Sequence, residues 1–489
     1  MKPKLKVLMV SPEVVPFAKT GGLADIVGSL PLALSKLGCE VRIVLPKYKI
    51  VDECEVSLLD TDKEVNFKVG NTMQKARILS TKVAGVVTVY FLEHDEYYAR
   101  DGLYGTTEGG DYKDNLARFS FFCGGTLELL KKIEYKPQII HCHDWQTGLI
   151  PVYLKTLYQN DTFLEGIKTL FTIHNLAYQG VFPKVEFPIT GLDEEIFTPD
   201  KLEFWDKINF MKGALIYADI LSTVSKGYVQ EIVTTEYGCG LEGVLKERKD
   251  KLYGIVNGLD YKEWDPSMDK GITMAYDVNT IERKVKNKKA LQQENNLLVD
   301  SNIPLIGMIT RLAAQKGLDI LDEIIDELME LNIQLILLGT GESKYHIRME
   351  QIKEKFPTKA SIHLTFDPEL AKRIYAGADM FLMPSKYEPC GLGQLISLRY
   401  GTVPIVRATG GLKDTITNFD PKRKIGNGFV FNEYDSQTLL STIKQAIDVF
   451  CNDKESWKRL MLNGMSADFS WEHSAKEYIK LYEEALRIK

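Results

Sequence analysis

No Cys-x-x-Cys pair occurs among the seven cysteines of this chain, and their odd number leaves at least one without a disulfide partner. A disulfide framework and a zinc ribbon are both poor fits to that usage, which suits a reducing, cytoplasmic setting. No apolar run approaches the ~20 residues of a membrane helix. The start is basic, but its apolar run Val7–Val10 is too short for a secretory signal and reads better as a buried strand. Positive charge is not in excess: 61 Lys and Arg face 67 Asp and Glu, a net charge of -6, which argues against a general nucleic-acid binder. His-Glu-x-x-His is absent, and so is the Gly-x-x-x-x-Gly-Lys-Ser/Thr loop of P-loop NTPases. Gly339-Thr340-Gly341 begins a dinucleotide fingerprint, but Lys344 stands at the third glycine position, so a dehydrogenase fits poorly. His141 and His143 would share one face of a strand. Zinc asks for three or four ligands, and only His174 and Asp144 offer themselves, so no metal is expected. Neither an internal repeat nor a low-complexity tract is visible.

What is present is a chain of 489 residues, 44% hydrophobic, which suggests two domains. Short runs rich in Val, Ile and Leu alternate with longer amphipathic stretches. Leu5–Val10, Val41–Leu45, Val86–Leu92, Gln138–Cys142, Thr169–Ile173 and Ile220–Val224 read as strands, with a helix over Ala24–Leu37. The series restarts with strands at Leu305–Ile309, Gln334–Leu338, Ile362–Phe366, Met380–Met383, Val403–Val406 and Gly428–Phe431, and helices from Leu318 and over Glu369–Ala376. Continuous apolar runs of this length mark strands buried on both faces, and the alternation implies parallel sheets covered by helices. The fold class is α/β: two doubly wound, Rossmann-like domains facing a central cleft. Expected divisions are 1–252, 253–470, and a C-terminal helix 471–489 that crosses back to the first domain. Asn257-Gly258 is a turn signal near the passage.

Ligands of open α/β sheets sit beyond the carboxyl ends of the strands. Arg311 and Lys316 follow one strand and make a candidate diphosphate clamp, Arg as a fork and Lys as a point charge. The competing reading is a solvated pair on a loop. Glu388 follows the strand Met380–Met383, and the N–H groups of Cys390, Gly391 and Leu392 open the next helix, ready for a phosphate. A carboxylate there suits sugar hydroxyls or a positive transition state, unless it only caps the helix. Two glycine-rich turns, one per half, let backbone approach a ligand: Lys19-Thr20-Gly21-Gly22-Leu23-Ala24-Asp25 and Thr409-Gly410-Gly411-Leu412.

Together with His141-Cys-His-Asp-Trp145, Thr172-Ile-His-Asn175, Tyr178-Gln-Gly-Val-Phe-Pro183 and Asn257-Gly-Leu-Asp260, these segments resemble the bacterial glycogen synthases and plant starch synthases, glycosyltransferase family 5. The resemblance runs nearly end to end and implies the two-domain GT-B fold. It implies a retaining transfer of glucose from ADP-glucose onto an α-1,4-glucan primer (glycogen or a maltooligosaccharide), releasing ADP. No metal or organic cofactor is implied, nor a nucleic-acid or membrane partner. Arg311 and Lys316 would hold the diphosphate, with Glu388 beside the transferred glucose. His174 and Asp144 would line the glucose site. Lys19, Gly21, Gly22, Asp25 and Asn257 would serve the donor with Cys390, Gly391, Leu392, Thr409, Gly410 and Gly411, and Tyr375 would stack on the nucleobase. Trp145, Asn175 and Tyr178 would lie on the acceptor side. The cleft is expected to close about a hinge near residues 250–257, because water would hydrolyse the donor. Alternatives are a GT-B enzyme with another acceptor, an inactive glucan- or nucleotide-binding protein, and a phosphorylase, for which no pyridoxal-phosphate lysine is evident.

Overall fold

The computed structural model describes residues 4–106 and 109–488. It forms two compact units: unit 1 comprises Met1–Val224, Val229–Gly258 and Trp471–Lys489, and unit 2 comprises Ser225–Tyr228 and Leu259–Ser470.

Unit 1 contributes β1 (Lys6–Val10), β2 (Glu40–Pro46), β3 (Leu59–Val69), β4 (Thr72–Val83), β5 (Val87–Glu93), β6 (Ile139–His143), β7 (Lys168–Ile173), β8 (Val181–Pro183), β9 (Glu203–Phe204), β10 (Lys207–Asn209), β11 (Ile220–Thr223) and β12 (Leu252–Gly254). Nine of these form one sheet in the order β12-β11-β7-β6-β1-β2-β5-β4-β3. From β12 to β5 every pairing is parallel. The central strands are buried and largely apolar because helices cover both faces; Val7, Leu8, Met9 and Val10 are all buried. The edge formed by β5, β4 and β3 is antiparallel. Its outer strand reads Leu-Asp-Thr-Asp-Lys-Glu before the alternation Val65, Phe67, Val69 begins, so the apolar density that marks the other strands is missing. Three short strands make a separate antiparallel sheet in the order β8-β10-β9. The helix Trp471–Ala485 packs against the helix Gly22–Lys36 and β7. Tyr482 on it hydrogen-bonds His141 Nδ1 at 2.9 Å.

Unit 2 carries β13 (Leu305–Ile309), β14 (Gln334–Leu338), β15 (Ala360–His363), β16 (Met380–Met383), β17 (Val403–Arg407) and β18 (Phe429–Phe431). All six are parallel, ordered β15-β14-β13-β16-β17-β18. The sheet therefore reverses its winding between β13 and β16, the position where doubly wound sheets bind ligands. In unit 1 the equivalent reversal lies between β1 and β6. Two expectations shift. The strand expected over Ile362–Phe366 ends at His363, because its neighbour β14 ends at the partner residue Leu338. The helix from Leu318 is two pieces, Leu318–Asp322 and Ile325–Glu330. Among the described residues no helix is long and apolar enough to cross a membrane.

Candidate active site

In unit 2 the two loops at the winding reversal meet. Lys316 follows β13 and Glu388 follows β16; Lys316 Nζ lies 2.7 Å from Glu388 Oε2. Glu388 is buried and accepts a second hydrogen bond at the same oxygen from Ser385 Oγ at 3.0 Å. The loops are stitched by backbone as well. Lys386 N donates to Gln315 O at 2.8 Å, and Gln315 Nε2 donates to Tyr387 O at 3.1 Å. Gly317, with φ +71°, makes this approach possible: a Cβ there would stand 2.1 Å from Pro384 O. Arg311 is exposed, its guanidinium 3.4 Å from Gln315 Oε1.

A third loop, after β17, closes on the same carboxylate segment. Gly411 N donates to Glu388 O at 3.0 Å. Gly410 has φ +44°, and a Cβ on it would lie 2.0 Å from Glu388 O. Thr409 and Cys390 are buried, whereas Gly391 and Leu392 are partly open at the start of the helix Gly393–Arg399. Arg407, at the end of β17, donates Nε to Ser385 O at 3.0 Å and also reaches the carbonyls of Lys386 and Asn432. Thus Ser385 and Arg407 hold the segment that carries Glu388. Neither is marked in the sequence, because a serine and an arginine near strand ends carry no signal until their contacts are known.

Tyr375 is not placed to stack on a nucleobase. It is 4% exposed, and its ring packs 4.9 Å from Phe381 and within 6.2 Å of Tyr400 and Trp264. A ring enclosed by three others has no free face for a nucleobase; Tyr375 is a core residue. The open aromatic nearby is Phe366, 78% exposed, between β15 and the helix Pro368–Gly377, at the carboxyl ends of the strands. Its place just past β15 was the available signal.

In unit 1 the loop after β1 is anchored by Glu13. This buried carboxylate accepts from Thr20 N at 2.5 Å, Thr20 Oγ1 at 2.6 Å, Gly21 N at 3.2 Å and Tyr104 OH at 2.7 Å. Lys19, Gly21 and Gly22 stay exposed, and Lys19 Nζ pairs with Asp25 Oδ1 at 2.7 Å. Asp144, beyond β6, takes a left-handed φ of +57°. Its Oδ1 accepts from His174 N at 2.8 Å, and burial pushes its carboxyl up to about 7. His143 Nδ1 lies 2.9 Å from His174 Nε2. Burial holds His174 down to about 3, and both His141 and His143 well below the usual imidazole range. These imidazoles are neutral. His141 already spends both ring nitrogens, on Tyr482 OH and on Thr172 Oγ1 at 2.6 Å.

The remaining positions are mixed. Trp145 is half-buried, edge-on to Phe119 at 4.9 Å, and a Cβ on Gly180 would touch its ring at 2.3 Å. Asn175 is half-buried and its Oδ1 accepts from Ala177 N at 3.1 Å; Tyr178 is open to solvent. Asn257 is buried, and its Oδ1 has no hydrogen-bond partner among the described residues.

Residues 6–247 match the starch synthase catalytic domain family, and residues 290–459 match the glycosyl transferases group 1 family. The glycogen synthase of Geotalea daltonii is 47% identical over 485 residues, covering 99% of this chain and 100% of that one. That of Pseudothermotoga lettingae is 48% identical over 490 residues, again covering 99% and 100%. Among solved structures, the catalytic domain of starch synthase IV from Arabidopsis thaliana, bound to ADP and acarbose, is 36% identical with a TM-score of 0.90, covering 99% of this chain and 100% of that one.

Proposed function

The chain belongs to the glycogen synthase and starch synthase family of glycosyltransferases, and on that premise we propose that it elongates an α-1,4-glucan with glucose from ADP-glucose, releasing ADP with the α configuration retained. The observation that carries the mechanism is the Lys316–Glu388 pair at the winding reversal of unit 2.

Breaking the glucosyl bond puts negative charge on the diphosphate and positive charge on the glucosyl carbon. Lys316 and Arg311 answer the first, an ion-paired cation and a solvent-exposed fork. Glu388 answers the second. While no donor is bound, the Lys316 ammonium rests on Glu388. An arriving diphosphate competes for that ammonium, and the carboxylate is then released toward the sugar. Ser385 keeps one carboxylate oxygen aligned during the exchange. The partly open turn at Gly391 and Leu392 completes the proposed phosphate side, and Thr409, Gly410 and Gly411 are proposed donor-site residues that back it, with the Gly411 N–H spent on Glu388 O. Phe366 replaces Tyr375 as the proposed platform for the base. Lys19, Gly21, Gly22, Asp25 and Asn257 are proposed donor groups of unit 1. His174 and Asp144 are proposed glucose ligands, with Trp145, Asn175 and Tyr178 on the acceptor side. Neutral His174 suits a hydroxyl better than a phosphate, since an uncharged imidazole both donates and accepts. The seven cysteines are all free, which supports the cytoplasmic reading.

Purified protein mixed with glycogen and either ADP-glucose or UDP-glucose tests the reading. Glucose incorporation matched by ADP release is the expected result. Preference for UDP-glucose would overturn the base, and no incorporation from either would overturn the reaction.

A further inference from the structure

Solvent-exposed apolar side chains gather on the small sheet of unit 1. Val181 on β8 is 40% exposed, Val185 just past β8 84%, and Trp205 80%. Trp205 and Asp206 alone join β9 to β10, and both have left-handed backbone, φ +54° and +57°. A two-residue hairpin of that kind favours Asn-Gly or Asp-Gly, since only residues tolerant of positive φ adopt it without cost. Tryptophan is a poor choice for making the turn, so the turn does not explain it.

The ring is nevertheless held. Phe204 lies 6.3 Å away, edge-on at 75°, and Gly240 backs both rings: a Cβ there would stand 2.9 Å from the Phe204 ring and 3.8 Å from the indole Nε1. Beside it Lys184 Nζ pairs with Asp206 Oδ1 at 3.0 Å, both side chains exposed. β8 and β9 flank β10, so the strip from one to the other is on the order of 10 Å wide.

We propose that this strip, centred on Trp205, is an accessory binding site for α-glucan chains of the polymeric acceptor, separate from the residues that transfer glucose. The chemistry matches: one face of a glucose ring is lined by C–H bonds and stacks on indole, while hydroxyls at its rim meet the Lys184 and Asp206 side chains and the indole N–H. A free nucleotide would want uncompensated positive charge, and here the lysine is already paired. The proposal rests on the glucan-elongating reading, since a polymer substrate has chain to spare beyond the reacting end.

The test is Trp205→Asn, with Trp205→Phe as the conservative partner. Asparagine tolerates the left-handed turn, so the variant melts at or above the wild-type temperature. Electrophoresis through gels containing glycogen, with no donor present, reads binding alone. Retardation weakened by about tenfold in Trp205→Asn and largely kept in Trp205→Phe is expected. In kinetics the KM for glycogen rises by a similar factor, while kcat with maltotriose and the KM for the donor stay unchanged. Equal retardation of wild type and Trp205→Asn would overturn the site. So would retention on anionic phospholipid vesicles without retardation by glycogen, or an equal kinetic loss with maltotriose. Should the wild type transfer no glucose at all, the donor-free gel still decides the site independently of the reaction.

Discussion

Lys316 and Arg311, the two residues of the proposed clamp, differ in their surroundings. Lys316 is fixed by a 2.7 Å contact to a buried carboxylate, whereas Arg311 stands in solvent. Replacing either with alanine removes a pre-placed positive donor, which typically costs about 2.7–4 kcal/mol, or roughly 10²–10³ in kcat. Both variants are expected to fall in that range while remaining folded by circular dichroism; near-normal turnover in both would refute the clamp. Phe366→Ala provides the contrast. It should raise the donor KM by about tenfold and leave kcat and the primer KM alone, because a stacked ring binds ground and transition states equally. The proposed clamp residues stand out in the sequence as Arg and Lys just past an apolar run, and only the contact of Lys316 with Glu388 sets one of them apart from a solvated pair. The base platform was not. Tyr375 and Phe366 are both aromatics near the carboxyl end of one sheet, and only burial tells a core ring from an open one.

At the level of elements, three loops after β13, β16 and β17 pack backbone to backbone around Glu388. Gly410 is where that packing is least forgiving. Gly410→Ala would bring a Cβ to 2.0 Å from Glu388 O and hold an L-residue at φ +44°. The left-handed backbone alone costs about 1–2 kcal/mol, and the clash moves the carboxylate segment. Lower stability in urea together with at least a tenfold loss of kcat/KM is expected. A variant that is less stable yet fully active would separate this loop from the chemistry. The Gly-Gly pair was visible as a turn after a strand, but its contact with Glu388 was not, because the sequence does not state which loops converge. The same limit hid Glu13, whose four hydrogen bonds fix the exposed Lys19–Gly22 loop from beneath.

For the whole molecule, the buried histidines set the response to acid. In the unfolded chain each imidazole takes up a proton as pH falls through about 6.5. Folded, His174 does so only near about 3, and His141 and His143 stay well below the usual range. These groups therefore contribute stability that is present above pH ~6.5 and lost as pH falls toward their folded values. Asp144 acts in the opposite sense. Its folded value is raised to about 7, so its contribution is present below pH ~3.9 and lost as pH rises through 7. Three groups against one leave a net loss of stability on acidification around pH 5. The urea midpoint should drop steeply between pH 7 and 5; a flat midpoint over that range would show that these histidines are accessible to protons in the native state.

The sequence by itself determined the α/β class, the positions of most central strands and the family, because strands buried on both faces must be apolar throughout and because motifs after strand ends keep their order along the chain. The tertiary structure alone decided that β13 and β16 are neighbours, and hence that Lys316 meets Glu388. It alone decided that β3 and β4 extend the first sheet as a hairpin, that Tyr375 is core while Phe366 and Trp205 are open, and that the imidazoles of His143 and His174 are neutral. Adjacency, exposure and desolvation arise from the packing of segments distant in the chain, and a linear pattern carries only what each segment does by itself.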